Sequence, residues 1–111
     1  MTTVSYFSLV VPNKAGEGAR ILNALKEAGV NLIALWGYPV KGKKAQVDLV
    51  PEDAPAFQKA VKKLGIDPGK KRPAFLVSGE DRVGAIADAM SALAAEGISV
   101  WAAQAVSPGG G

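Results

Sequence analysis

Residues 5–32 read SYFSLVVPNKAGEGARILNALKEAGVNL. Residues 5–11 alternate and are rich in β-formers, which places Phe7, Leu9 and Val11 on one face of a strand. The run Pro12-Asn13-Lys14-Ala15-Gly16 has the composition of a turn. A helix then extends to about Ala28, its apolar stripe formed by Ile21, Leu22, Leu25 and Ala28. Gly29 stands where a left-handed C-terminal cap is wanted. Residues 31–38 read as a second strand, which Pro39 is expected to stop.

The same pattern returns without a gap at a shift of 68 residues, where residues 73–100 read PAFLVSGEDRVGAIADAMSALAAEGISV. Phe75 meets Phe7, Val77 meets Leu9, and Asp81-Arg82-Val83-Gly84 meets Asn13-Lys14-Ala15-Gly16. Met90 and Leu93 meet Leu22 and Leu25, and Gly97-Ile98-Ser99-Val100 meets Gly29-Val30-Asn31-Leu32. Both turns, both glycines and the helix core coincide, which reads as an internal repeat.

Between the two copies, Lys41-Gly42-Lys43 forms a hairpin turn into a strand over residues 45–50. A second helix starts after Pro51-Glu52-Asp53, with Asp53 as its N-cap. Phe57, Ala60, Val61 and Leu64 form its inner face, Lys59, Lys62 and Lys63 its outer one, and Gly65 ends it. A fourth strand is expected over residues 74–78 and a third helix over 84–96, with Ile86, Ala89, Met90 and Leu93 inward. A fifth strand is expected over 98–106, followed by a flexible tail over 107–111.

The element order is therefore βαββαβαβ, an α+β ferredoxin-like βαββαβ with an additional C-terminal αβ. Residues 1–106 form one domain, in which 4–78 are a complete unit and 74–106 a partial second unit sharing the fourth strand. A half-built second sheet exposes an edge, and open edges pair with other chains. The expected assembly is a homodimer or a higher homo-oligomer with the C-terminal half at the interface.

Composition narrows the chemistry. The 111 residues contain no Cys and no His, which removes disulfide frameworks, thiolate metal sites, cysteine nucleophiles, the Ser-His-Asp triad and a histidine general base. Glu80-Asp81-Arg82 is the one compact charged cluster beside a predicted helix start. Carboxylates beside an Arg suit a salt bridge better than a general acid. No catalytic residue, metal ligand or cofactor is assigned, and the chain is not expected to be an enzyme. No apolar run is long enough to span a membrane and the N-terminus lacks the pattern of a signal peptide, so a cytoplasmic location is expected.

The net charge of +3 is unevenly spread: residues 41–72 carry nine Lys or Arg against four acids. An anion or RNA binder acting through Lys41, Lys43, Lys44, Lys59, Lys62, Lys63, Lys70, Lys71 and Arg72 is one reading. The strand Ala45-Gln46-Val47-Asp48-Leu49-Val50 lacks the aromatics with which ferredoxin-like sheets stack RNA bases, which disfavours nucleic acid. Trp36 and Trp101 fall on the second strands of the two units, where either would fill a core, a pocket wall or a dimer interface. A module that only dimerises is a further alternative.

An apolar strand, then Asx-Lys/Arg-x-Gly, then a helix ending Glu-Ala-Gly-Val-Asn-Leu resembles the ACT domain, a small-molecule-binding regulatory domain of amino-acid metabolism. The resemblance implies a stand-alone regulatory protein that binds a metabolite, in the first instance an amino acid, where two units meet, and that acts on a separate regulated enzyme. Carried over by position, it implies ligand contacts from Asn13, Ala15, Gly16, Glu17 and Asn31. The second copy would supply Asp81, Val83, Gly84 and Ala85, with Ser99 in the asparagine position. Two departures stand out: Ala15 and Val83 replace a frequent proline, and Gly18 replaces a large apolar residue that Ile86 supplies in the second copy.

The physical basis of such a site is general. A helix start exposes unpaired N–H groups and partial positive charge that hold a carboxylate, and an Asx side chain beside it accepts from an ammonium. The alternative use of Asn13 and Asp81 is to cap turns and helices.

Overall fold

The computed structural model describes residues 2–100 and 102–107. The chain divides into two compact units, one through Leu76 and one from Val77 onward.

The first unit contains β1 (Thr2–Pro12), α1 (Glu17–Glu27), β2 (Leu32–Val40), β3 (Lys44–Pro51), α2 (Ala54–Lys63) and β4 (Arg72–Leu76). The four strands form one antiparallel sheet in the order β2-β3-β1-β4, which is the ferredoxin-like arrangement. Phe7 lies opposite Leu49, Leu9 opposite Val47 and Val11 opposite Ala45, so the odd positions of β1 share one face with their partners on β3. That face meets Ile21 and Leu25 of α1 and Phe57, Ala60 and Val61 of α2 in the core. Phe7 and Phe57 stack at its centre with ring centroids 4.8 Å apart. Leu22, read as part of the α1 stripe, is instead 42% exposed, because the buried arc of α1 is narrow and centres on Ile21 and Leu25.

Local signals set the boundaries. The Asp53 side chain accepts from the Ala56 N–H at 3.1 Å and caps α2. Lys41-Gly42-Lys43 turns the chain with both Gly42 and Lys43 at positive φ, so that Val40 pairs with Lys44. Pro39 does not stop β2, which continues to Val40. β2 pairs with β3 alone and is an edge of the sheet, and a proline without an N–H is tolerated there.

The second unit contains α3 (Ala85–Ala95). Both ends of α3 fall 68 residues after the ends of α1. Glu17 N–H bonds to Lys14 O, as Ala85 N–H does to Arg82 O, and Val30 N–H bonds to Leu25 O, as Ile98 N–H does to Leu93 O. No residue of α3 is buried, in contrast to the inward positions expected for Ile86, Ala89, Met90 and Leu93. Among the described residues, 98–106 form no strand, although a fifth was expected. A strand exists only where a neighbour accepts its ladder hydrogen bonds, and the unit offers this segment none among those residues. Trp101 and residues 108–111 of the expected tail lie outside the described residues.

Candidate functional site

The loop after β1 is held from both sides. Asn13 N–H donates to Lys43 O at 2.9 Å, tying the loop to the β2–β3 hairpin, and Lys14 N–H donates to Pro12 O. Gly16 is the N-cap of α1, with φ +86° and no side-chain cap. Neither Asn13 nor Asp81 therefore caps its helix. The left-handed backbone of the glycine turns the chain into the first turn, a conformation only glycine adopts without strain. Arg20 N–H is bonded to Gly16 O, the first helical bond of α1. Among the described residues, the N–H groups of Gly18 and Ala19 find no acceptor outside the helix. Asn13, Ala15 and Gly16 are exposed around this opening.

Glu17 differs from its neighbours. It is buried in the first turn, and the Arg20 guanidinium donates to its Oε1 from both Nε and Nη2. Its carboxylate is thus engaged within the helix. The negative charge also lies at the end of the helix that favours it.

Asn31 stands elsewhere. Its Nδ2 donates to Glu52 Oε1 at 2.9 Å and its carbonyl accepts from Glu52 N–H at 3.0 Å, clasping the start of β2 to the end of β3. Seven residue steps of β3 separate Lys44, at the Asn13 end, from Pro51, at the Asn31 end. At the usual strand rise that is about 24 Å. The first unit therefore brings Asn13, Ala15, Gly16 and Glu17 together and leaves Asn31 at the far end of the sheet.

The second unit repeats the loop geometry with different chemistry. Gly84 is the N-cap of α3, with φ +84°, and Asp88 N–H donates to its carbonyl at 2.9 Å. Asp81 accepts from Ser107 Oγ at 2.6 Å. Arg82 bridges the helix start, donating to Val83 O at 3.2 Å and to Asp88 Oδ2 at 2.7 Å. Val83 is fully exposed and Ala85 is the first residue of the helix. Ser99 is exposed in the segment after α3.

Sequence reading missed a second polar cluster, on the sheet face away from the helices. Ser8, Asp48 and Trp36 are register partners across β1, β3 and β2. Asp48 is 6% exposed. Its Oδ1 accepts from Ser8 Oγ at 2.6 Å and from Gln46 Nε2 at 3.1 Å, and its Oδ2 from Tyr38 OH at 3.4 Å. Desolvation and the adjacent Asp48 carboxylate push the Tyr38 phenol above its ordinary pKa, so it stays a proton donor. Alternation along β3 placed Asp48 on this face, but nothing in the sequence signalled its burial.

A third feature is a shallow depression of about 490 Å³ on the exposed side of α2, lined by Pro55, Gln58, Lys59, Lys62 and Lys63. Among the described residues no group of acids could hold a metal ion, and no helix is long and apolar enough to cross a membrane.

Compared with solved structures, the chain aligns over 92% of its length with aspartokinase alpha and beta subunits, at 19% identity and a TM-score of 0.62, covering 75% of that chain. The regulatory subunit of aspartate kinase from Thermus thermophilus, in a ligand-free form, matches 84% of this chain and 70% of its own, at 19% identity and a TM-score of 0.61. The chain shares its fold with this regulatory subunit. A protein from Bacteroides thetaiotaomicron matches with a TM-score of 0.69 at 21% identity over 86% of this chain. The chain spans 65% of that protein, less than two thirds of its length. No family model matches the chain, and no curated protein matches it in sequence. At these identities the likeness is one of fold, and the fold is the ferredoxin-like one.

Proposed function

We propose that the chain is a regulatory, non-enzymatic ACT-type module that binds a small metabolite, an amino acid in the first instance, at the loop-to-helix start of α1. The observation that carries this reading is the opening around Gly16, where exposed Asn13 and Ala15 flank first-turn N–H groups that have no acceptor. A ligand carboxylate would take those N–H groups and the Asn13 side-chain oxygen would take its ammonium. Glu17 holds Arg20 in place rather than meeting the ligand. The fold shared with an aspartate kinase regulatory subunit supports a regulatory role. Asp81, Val83, Gly84 and Ala85 would make the corresponding opening of a partial second unit, a reading supported by the matching ends of α1 and α3.

Because Asn31 stands at the far end of the sheet from the loop at Gly16, its contribution requires a second copy of the chain, and Ser99 would play the corresponding part for the second unit. The exposed Ile86, Met90 and Leu93 of α3 support such a homodimer, with α3 at the interface.

A thermal-shift screen against the twenty amino acids and common nucleotides tests the reading. A ligand at about a hundred times its Kd stabilises the folded state by about 2.7 kcal/mol, a rise on the order of 10 °C for a domain of this size. The expected result is a rise with one or a few amino acids that Ala15→Trp abolishes while its own melting temperature is unchanged. No response to any amino acid contradicts the reading, and a response to nucleotides favours the basic face of α2 instead.

A further inference from the structure

We propose that the outer face of the sheet carries a binding site for a small organic cation, an ammonium or guanidinium group held between the Asp48 carboxylate and the aromatic side chains of Trp36 and Tyr38. This site is separate from the loop at Gly16 and does not depend on how that loop is used.

A buried carboxylate is costly unless it is paired or fully hydrogen-bonded. Asp48 is nine-tenths buried, its donors are all neutral, and no ion pair reaches it among the described residues. The charged residues that share its face are Lys44, further along β3, and Arg72 on β4, which lies across from Tyr6. The two oxygens are unequally served. Oδ1 accepts two bonds, of 2.6 and 3.1 Å, whereas Oδ2 accepts one longer bond from Tyr38 and keeps acceptor capacity.

The surroundings suit a cation. Trp36 stands directly across from Asp48 on β2, and Tyr38 lies one step further along the same face. Aromatic rings beside a carboxylate hold ammonium and guanidinium groups by adding a cation–π attraction to the charge pair. Tyr38 is 42% exposed on an edge strand, and its 3.4 Å bond is weak enough to yield to a stronger donor. A Tyr38 side chain that swings outward would admit the ligand to Oδ2. The first unit carries twelve Lys or Arg against six acids, so cations are repelled at long range and any cation that binds must do so locally.

Calorimetric titration with putrescine and agmatine tests the site, with uncharged 1,4-butanediol as the control for shape. Neither cation carries a carboxylate, so at the helix-start site they could meet only the Asn13 side-chain oxygen and leave the first-turn N–H groups unused. Saturable heat is expected with both cations and none with butanediol. Asp48→Asn keeps an acceptor for Ser8 and should bind at least about tenfold more weakly. Trp36→Leu leaves the carboxylate untouched and should weaken binding by about threefold or more. Absence of saturable heat with both cations overturns the proposal, as does a folded Asp48→Asn protein that titrates like the wild type. Should Asp48→Asn fail to fold, an unchanged titration of Trp36→Leu overturns it as well.

Discussion

At the scale of single residues, backbone conformation and hydrogen bonding decide more than side-chain size. Gly16 has φ +86° and nothing within 4 Å of where a Cβ would stand, so Gly16→Ala meets no clash and costs only backbone strain. That strain is about 1–2 kcal/mol, measurable as a lower midpoint in urea with an unchanged slope. Tyr38 gives a pH test. Its phenol is raised above the ordinary value in the folded chain, so its contribution to stability is complete below about pH 10 and is lost as pH rises through the folded-state value. Tyr38→Phe should therefore lose less stability than the wild type as pH rises above about 10, a difference in slope that common lysine titration cannot produce. Asp53, a cap by its position before Ala54-Pro55, is one residue whose role was legible directly; Asp53→Ala should cost about 1 kcal/mol. Asp48 was not legible. Its neighbours in the sequence read as an ordinary alternating strand, and its hydrogen-bond donors Ser8 and Tyr38 are 40 and 10 residues away.

At the scale of elements, the alternation of β1 and the stripes of α1 and α2 were enough to place the core, because one strand face and two helix arcs fix how three elements meet. Phe57→Ala should cost about 3–5 kcal/mol, since the ring is fully buried against Phe7. The strand expected over residues 98–106, which the described residues of that segment do not form, shows the limit of the same logic. Alternation says that a segment can pair, and says nothing about whether a neighbour is there to accept its hydrogen bonds. The extension of β2 through Pro39 has the same origin, because edge or centre is a property of the sheet and not of the strand. The candidate site was legible as a motif, in its turn, its glycine and its helix start. That Glu17 turns to Arg20 and Asn31 to Glu52 depended on partners that no local pattern identifies.

At the scale of the whole molecule, positions 68 residues apart in the chain have different fates. Leu25 is 1% exposed and Leu93, 68 residues later, is 36% exposed; Phe7 is fully buried and Phe75 is 65% exposed. If a second copy covers α3, sedimentation equilibrium should give about twice the chain mass of 11.4 kDa, and Leu93→Asp should return the protein to a folded monomer. A wild-type monomer at all concentrations would remove the dimer. The account as a whole turns on whether the opening at the start of α1 receives an amino acid. The direct measurement is an amide NMR titration of the full chain with a mixture of the twenty amino acids. Saturable shifts at residues 13–20 and at their counterparts 81–88 are predicted. Shifts centred on Lys59, Lys62 and Lys63, or none at all, would contradict it.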